Sequence, residues 1–364
     1  MSPLPVADPD DIADLSPVLI VGTGLIGASI GCALTSQGVE VHLWDLDPAN
    51  GMVAAGRGAG ILGPRDPRDY RLVVVATPPA AVAATVAERL RWHRNAVITD
   101  TASVKSAVLA ELQGNGLDLS RYVGSHPMSG TQYDGPMTAV PELFVDRTWV
   151  LTPRPENPPQ AVERVRRLAV VCGARTVTLD TLEHDTAVAE VSHLPQLMSI
   201  LTGANLRHAD SSHLTLAGGG IRDVTRIAQS QTGMWRQIIS ANRSAVRRQL
   251  DRVREDLDTL IGALDDPDEL EAFLEMGRSG ARSLGGKHGS ELSETTTVVV
   301  EIPDRPGALA RLFSDIGRLG VNIEDLSVEH DQARDSGFLS IEVDPARADD
   351  LRAWMREHDW GLRS

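Results

Sequence analysis

The chain has 364 residues, 42% hydrophobic and 23% charged, an ordinary composition for a folded protein of two or three domains. A formal net charge of −15 leaves no basic surplus to neutralise phosphates, which argues against general nucleic-acid binding. No stretch carries the ~18 consecutive apolar residues that a membrane span needs, so no membrane is expected as a partner.

Residues 1–16 contain no Lys or Arg and no apolar run, and read as a loose, disordered tail with no secretory signal. Cys32 and Cys172 fall in expected helices at no metal-ligating spacing. No HxH, HxxxH or HExxH pattern occurs either, so no metal is expected. These features together point to the cytoplasm.

From Pro17 to Asp45 the chain reads strand, tight turn, helix, strand. Val18 to Val21 is a continuous apolar run, as in a strand buried on both faces. Gly22, Thr23, Gly24, Leu25, Ile26 and Gly27 then form GxGxxG. Gly22 suits the turn, Gly24 lets a pyrophosphate approach the backbone, and Gly27 lets helix and strand pack closely. The next strand ends at Asp45, where a carboxylate can accept from the adenosine ribose hydroxyls and repel a 2′-phosphate. The cofactor expected is NAD. The alternative, an ordinary glycine-rich turn that binds nothing, agrees less well with this strand–helix–acid context.

Further strands are expected at Leu72 to Ala76, Ala96 to Thr99, Tyr122 to Ser125, Thr148 to Leu151 and Thr176 to Leu179, with helices between them. This alternation implies a mostly parallel, doubly wound α/β sheet over 17–181. Ligands bind such sheets at the carboxyl ends of strands, which is where Thr77, Ser103 and His126 fall. From 182 to 284 the pattern is helical: a long stretch interrupted by Pro195, then one apolar stripe of roughly thirty residues from Trp235 to Leu264. A polar, glycine-rich linker at 285–294 leads to a βαββαβ module over 295–364.

His126, in Ser-His-Pro-Met-Ser-Gly-Thr, leaves a buried strand at the ligand end of the sheet. A neutral imidazole there can take a hydroxyl proton while hydride leaves the same carbon. His193 is either a kink residue bonded to a broken helical turn or a substrate contact, with nothing in the sequence to favour one. Arg226, one helical turn after Asp223, either pairs with it or grips a substrate carboxylate with a two-point fork.

With these clusters in order, Pro17 to Leu264 resembles the prephenate and arogenate dehydrogenase family. The resemblance rests on GTGLIGAS, DTASVK (Asp100 to Lys105), SHPMSGT, EVSHLPQ, GGGIRDVTRIA and Met234-Trp235. The C-terminal module resembles an ACT domain through Asp304, Arg305, Pro306, Gly307, Ala308, Leu309 and Gly320, Val321, Asn322, Ile323. The resemblance implies a Rossmann-type domain, an all-helical dimerisation domain and a regulatory ACT module. It implies His126 as catalytic base with Ser103 beside it, substrate contacts at Thr131, Gln132, His193 and Arg226, and a homodimer formed by the helical domain. The reaction implied is NAD-dependent oxidative decarboxylation of prephenate in tyrosine biosynthesis. Gln132, a neutral amide, suits the keto group of prephenate at least as well as the ammonium of arogenate. Arogenate or another aminated analogue stays open as substrate. A β-hydroxyacid dehydrogenase and a non-catalytic amino-acid sensor are remoter alternatives. Asp304, Arg305, Pro306, Gly307 and Asn322 are expected to hold an effector, tyrosine or phenylalanine.

Overall fold

The structure is a computed structural model that describes residues 4–63, 66, 69–130, 134–284, 296–303, 305–331, 336–358 and 360–363. Thr131, Gln132, Asp304 and the expected linker 285–294 lie outside the described residues. The chain divides into two units, Met1–Arg254 and Glu255–Ser364.

The first unit opens with α1 (Pro9–Leu15), where a loose tail was expected. Three local causes order it. Asp8 caps the helix through the Asp10 N–H, Pro9 occupies its first turn, and Leu15 is fully buried. Its acidic residues pair with a distant helix: Arg164 Nη2 lies 2.5 Å from Asp14 Oδ1 and Arg167 Nε 3.1 Å from Asp11 Oδ1.

The sheet begins β1 (Val18–Val21), α2 (Leu25–Ser36), β2 (Val41–Trp44), α3 (Pro48–Gly56), β3 (Ile61–Leu62), β4 (Leu72–Val75), α4 (Val82–Trp92). It continues β5 (Val97–Asp100), α5 (Ser106–Gly114), β6 (Tyr122–Pro127), β7 (Thr148–Thr152), α6 (Pro159–Val171), β8 (Arg175–Thr178). The strand order is β3-β2-β1-β4-β5-β6-β7-β8, with β6–β7 the antiparallel pair and every other pairing parallel. Alternate residues of one strand feed two cores: Val18 and Ile20 join the cluster under α2 and α6, whereas Leu19 and Val21 join the one under α4 and α5. That two-faced burial is why these strands read as unbroken apolar runs. β1 pairs with β2 on one side and β4 on the other, so the direction of winding reverses between β1 and β4. A crevice opens beyond the carboxyl ends of strands at such a reversal.

The helices follow: α7 (Thr181–Val188), a π-helical turn Ala189–His193, α8 (Leu194–Asn205), α9 (Ser211–Leu214), α10 (Gly219–Thr225), α11 (Thr232–Ala241), α12 (Arg243–Ala263). The interruption expected at Pro195 takes the form of the π turn just before it. Pro195 has no N–H to give and its ring would crowd the carbonyl four residues back, so the wider turn absorbs the mismatch. The single long helix expected from Trp235 to Leu264 is two helices, because Asn242 (φ −102°, ψ 27°) breaks it. The Asn242 side chain has left the helix surface to donate to the Asp185 carbonyl at 2.7 Å.

In the second unit α13 (Pro267–Arg282) precedes β9 (Thr296–Pro303), α14 (Ala308–Leu319), β10 (Asp325–Asp331), β11 (Ser336–Val343), α15 (Pro345–Glu357) and β12 (Gly361–Arg363). The strands form an antiparallel sheet ordered β10-β11-β9-β12. Val298, Val300, Leu339 and Ile341 are buried with Leu312 and Ile316 of α14 and Leu351 and Met355 of α15. The helices therefore cover one face of this sheet. No helix among the described residues is long and apolar enough to cross a membrane.

Candidate active site

The glycine turn after β1 shows three kinds of constraint. Gly22 has φ +94°, and a Cβ on it would meet the Ala76 carbonyl oxygen at 2.5 Å. A Cβ on Gly27 would fall inside the Gly22 carbonyl, so only glycine lets α2 press onto the turn. At Gly24 an added Cβ meets nothing within 4 Å. This is the position open to a phosphate, ahead of the first N–H groups of α2 at Leu25 and Ile26. Asp45 follows β2. Its Oδ2 accepts from Thr23 N at 2.6 Å and Thr23 Oγ1 at 2.8 Å, and its Oδ1 accepts from Asp47 N at 2.9 Å. The carboxylate is thereby held against the glycine turn. Beyond β4, the buried Thr77 Oγ1 has no hydrogen-bond partner among the described residues. An orphan hydroxyl, an open glycine and a tethered carboxylate, all at the reversal of the sheet, fit a dinucleotide.

His126 lies in β6, 9% exposed. Its Nδ1 is 2.9 Å from Nε2 of His184, and His184 Nδ1 is 2.9 Å from Asp185 Oδ1. Asp185 Oδ1 also accepts from Lys105 N at 2.8 Å, and Oδ2 accepts from Ser106 N at 2.9 Å. A carboxylate with these partners stays ionised, and those hydrogen bonds hold its pKa below the ordinary value against the opposing effect of burial. The proton positions then follow from the ends of the chain. An ionised Asp185 only accepts, so His184 Nδ1 carries a proton and its Nε2 carries a lone pair. That lone pair takes the proton on His126 Nδ1. His126 Nε2 is left as a free acceptor, the form a general base needs. Burial pushes the His126 pKa well below the usual imidazole value, with His184, Lys105 and His193 pushing the same way.

Lys105 is itself buried. Its Nζ pairs with Asp100 and donates to the Ser125 carbonyl at 2.6 Å, while Tyr122 Oη donates to Asp100 Oδ2 at 2.7 Å. Ser125 Oγ donates to the Asp100 carbonyl at 2.8 Å and accepts from Trp149 Nε1 at 3.0 Å. The residue just before His126 is thus fixed from three sides.

His193, at the end of the π turn, is 1% exposed. Asn242 Nδ2, already committed to donating, lies 3.2 Å from its Nδ1, which puts the ring proton on Nε2. Trp235 packs edge-on against the ring. Burial lowers the His193 pKa to about 4, so it is neutral at physiological pH. Asn242 links His193 to the main chain of Asp185, and so to the His126 chain. Ser103, after β5, lines a cavity of ≈ 320 Å³ with Ala102 and with Gln237 and Ile238 of α11, and its hydroxyl has no partner among the described residues. Arg226 starts the short turn after α10 and is exposed. No ion pair joins it to Asp223, so its guanidinium is open. Among the described residues no cluster of His, Cys, Asp or Glu could hold a metal ion.

Of the expected regulatory residues, Gly307 has φ +88° and caps α14, Arg305 and Asn322 are exposed, and Asn322 Nδ2 donates to Glu324 Oε1 at 2.8 Å.

Residues 30–178 match the family model described as prephenate dehydrogenase, nucleotide-binding domain, and residues 180–276 match its dimerization domain. A probable prephenate dehydrogenase of Streptomyces niveus is 33% identical over 359 residues, 95% of this chain and 99% of the relative. The chain belongs to the prephenate dehydrogenase family. Residues 296–353 match the ACT domain model, so this member of the family carries a C-terminal ACT domain. Among solved structures, a prephenate dehydrogenase from A. aeolicus in complex with hydroxyphenyl propionate and NAD+ aligns with TM-score 0.67 at 26% identity, over 73% of this chain and 97% of the other. Arogenate dehydrogenase from Synechocystis aligns with TM-score 0.64 at 26% identity, over 73% of this chain and 99% of the other.

The sequence did not single out His184, Asp185 or Asn242. His184 and Asp185 sit in a polar stretch that reads as a solvated helix start, and Asn242 sits inside an apolar stripe. Only the fold brings His184 across 58 residues to His126.

Proposed function

We propose that this chain is an NAD-dependent prephenate dehydrogenase that converts prephenate to 4-hydroxyphenylpyruvate in tyrosine biosynthesis. The observation that carries this reading is the Asp185–His184–His126 chain, which leaves a lone pair on His126 Nε2 at the ligand end of a dinucleotide-binding sheet. NAD, when bound, supplies the hydride acceptor. Gly22, Gly24 and Gly27 shape its phosphate cradle with the N–H groups around Thr23, Leu25 and Ile26. Asp45 binds the ribose, and Thr77 offers its unpartnered hydroxyl.

His126 Nε2 takes the proton of the C4 hydroxyl as hydride leaves C4. The C4–O bond becomes a carbonyl, the ring carboxylate leaves as CO₂, and the electron pair of the broken C–C bond passes through the ring to that oxygen, which becomes a phenolate and takes the proton back from His126 as the ring turns aromatic. The proton gained by His126 is shared along the chain toward ionised Asp185, which stabilises the imidazolium as it forms. Ser103 orients the reacting hydroxyl. His193 donates from Nε2, and Arg226 takes a side-chain carboxylate with its open guanidinium. Thr131 and Gln132, outside the described residues, are assigned as further substrate contacts by the family resemblance, a neutral Gln132 suiting a keto group.

Arogenate is the second reading, supported by the likeness to the Synechocystis enzyme. It differs only in an ammonium where prephenate has a keto oxygen, and His126 serves both. The dimerization-domain match and exposed apolar side chains at Leu201, Leu216, Val224 and Met234 support a homodimer through the helical segment. The ACT domain supports an aromatic amino-acid effector at the Asp304–Gly307 turn and Asn322. NADH formation with prephenate and with arogenate, measured side by side, tests the proposal. It requires turnover of prephenate that His126→Asn abolishes.

A further inference from the structure

The sheet of the second unit has one face covered by α14 and α15 and one face open. Thr297, Val299, Phe338, Ser340 and Arg363 point to the open face, alternating with the buried Val298, Val300, Leu339 and Ile341. β12 is short: its last pair is Arg363 with Val299, whereas β9 runs on to Thr296. The notch left beside β9 is reached by two arginines of α15. A cavity of ≈ 640 Å³ results, within the usual range for a small organic ligand, roughly 300–1,000 Å³.

Its lining combines two chemistries. Val299 and the Phe338 ring make an apolar floor on the open face, and Arg352, Arg356 and Arg363 bring three guanidinium groups. Among the described residues no Asp or Glu lines it. Arg352 bonds the Thr297 carbonyl and Asp349, whose side chain is 95% exposed and so screens it weakly. Arg363 lies over the Phe338 ring at 4.9 Å, which fixes its plane and leaves its N–H edge free. Neither Arg356 nor Arg363 has a carboxylate partner among the described residues. Glu301, next along the open face, packs beside Gly361 instead of lining the cavity. Three cations gathered here, of which Arg356 and Arg363 have no carboxylate partner among the described residues, in a chain of net charge −15, mark a place suited to an anion.

We propose that this cavity is a second small-molecule site and that its ligand is an aryl carboxylate without an ammonium group. The ring lies on Phe338 and Val299, and the carboxylate takes a two-point fork from Arg356 or Arg363. An α-ammonium would face guanidinium groups with no acid in the lining to receive it. The site is separate from the Asp304–Gly307 turn, which follows the far end of β9. Thr297 to Pro303 spans six residues, ~20 Å at ~3.3 Å per residue.

The test uses the full chain and two probes that differ only in the ammonium: 3-(4-hydroxyphenyl)propionate and L-tyrosine. Equilibrium dialysis of the propionate should show one more equivalent bound per chain in the wild type than in Arg356→Ala/Arg363→Ala. Of Arg356→Ala and Arg363→Ala, the one that removes the fork should weaken that equivalent by about 10- to 150-fold, the value of a charge-assisted bond. Val299→Glu, which sets a carboxylate on the floor, should remove it as well. NADH formation should be unchanged in all of these variants, which keeps this site apart from the catalytic one. Equal stoichiometry in wild type and double variant overturns the proposal. So does displacement of the extra equivalent by equimolar tyrosine or inorganic phosphate, or a change in oligomeric state with propionate binding intact.

Discussion

His126 Nδ1 stands 2.9 Å from His184 Nε2, and that contact decides which nitrogen of His126 is free. Because Asp185 fixes the proton on His184 Nδ1, the lone pair of His126 is on Nε2. The first prediction follows from this chain. In Asp185→Asn the amide can donate to His184 Nδ1, which reverses both ring tautomers and puts a proton on His126 Nε2. Turnover should fall by roughly 10²–10⁴-fold, the range for a disabled general base, with substrate KM little changed. An unchanged rate would mean that the chain does not set the base.

The second prediction concerns pH. Burial and three neighbouring cationic or titratable groups hold the His126 pKa well below its usual value. The base is neutral until acid pH, so the acid limb of kcat should lie below pH ~6.5, the ordinary imidazole value. His184→Leu removes one of those groups and should move the limb upward while slowing turnover.

The same burial makes folding sensitive to acid. His193 titrates near 4 when folded, below its unfolded value, so between these pH values the unfolded chain binds more protons. The contribution of His193 is fully present above the unfolded pKa and is lost as pH falls toward 4. Thermal unfolding followed from pH 7 to pH 4.5 should show a falling Tm, with a shallower fall in His193→Gln.

Much of the fold was legible because burial on two faces writes itself as apolar runs, and the glycine turn as a spacing. Asp45, Thr77 and His126 were legible for the same reason: each stands where a predicted strand stops. The helix α1 was missed although Asp8 and Pro9 mark its start locally, because the burial of Leu15 and the ion pairs with Arg164 and Arg167, far along the chain, have no local signal. Asn242 was hidden by its neighbours, since one polar residue in an apolar stripe looks like a helix surface. His184 and Asp185 have no local signal; their role exists only through the contact with His126.

Cofactor choice gives a further prediction. Asp45 binds the glycine turn through Thr23 and would oppose a 2′-phosphate. Asp45→Ser should raise kcat/KM for NADP relative to NAD. A wild type that already uses both equally would remove Asp45 from the ribose.

Arg226→Ala should act on substrate. A lost charge-assisted carboxylate bond costs about 1.5–3 kcal/mol, a ~10- to 150-fold weaker interaction. The open guanidinium argues against a structural role with Asp223, so Tm should hardly change. A lower Tm with unchanged KM would reverse that assignment.

The central claim is tested most directly by following NADH at saturating NAD with prephenate and with arogenate, in the wild type and in His126→Asn. The expected result is NADH and one CO₂ per turnover from prephenate, with higher kcat/KM than from arogenate, and near-complete loss of both in the variant while NAD binding persists. No NADH from prephenate in the wild type, or a His126→Asn enzyme as fast as its parent, would contradict it.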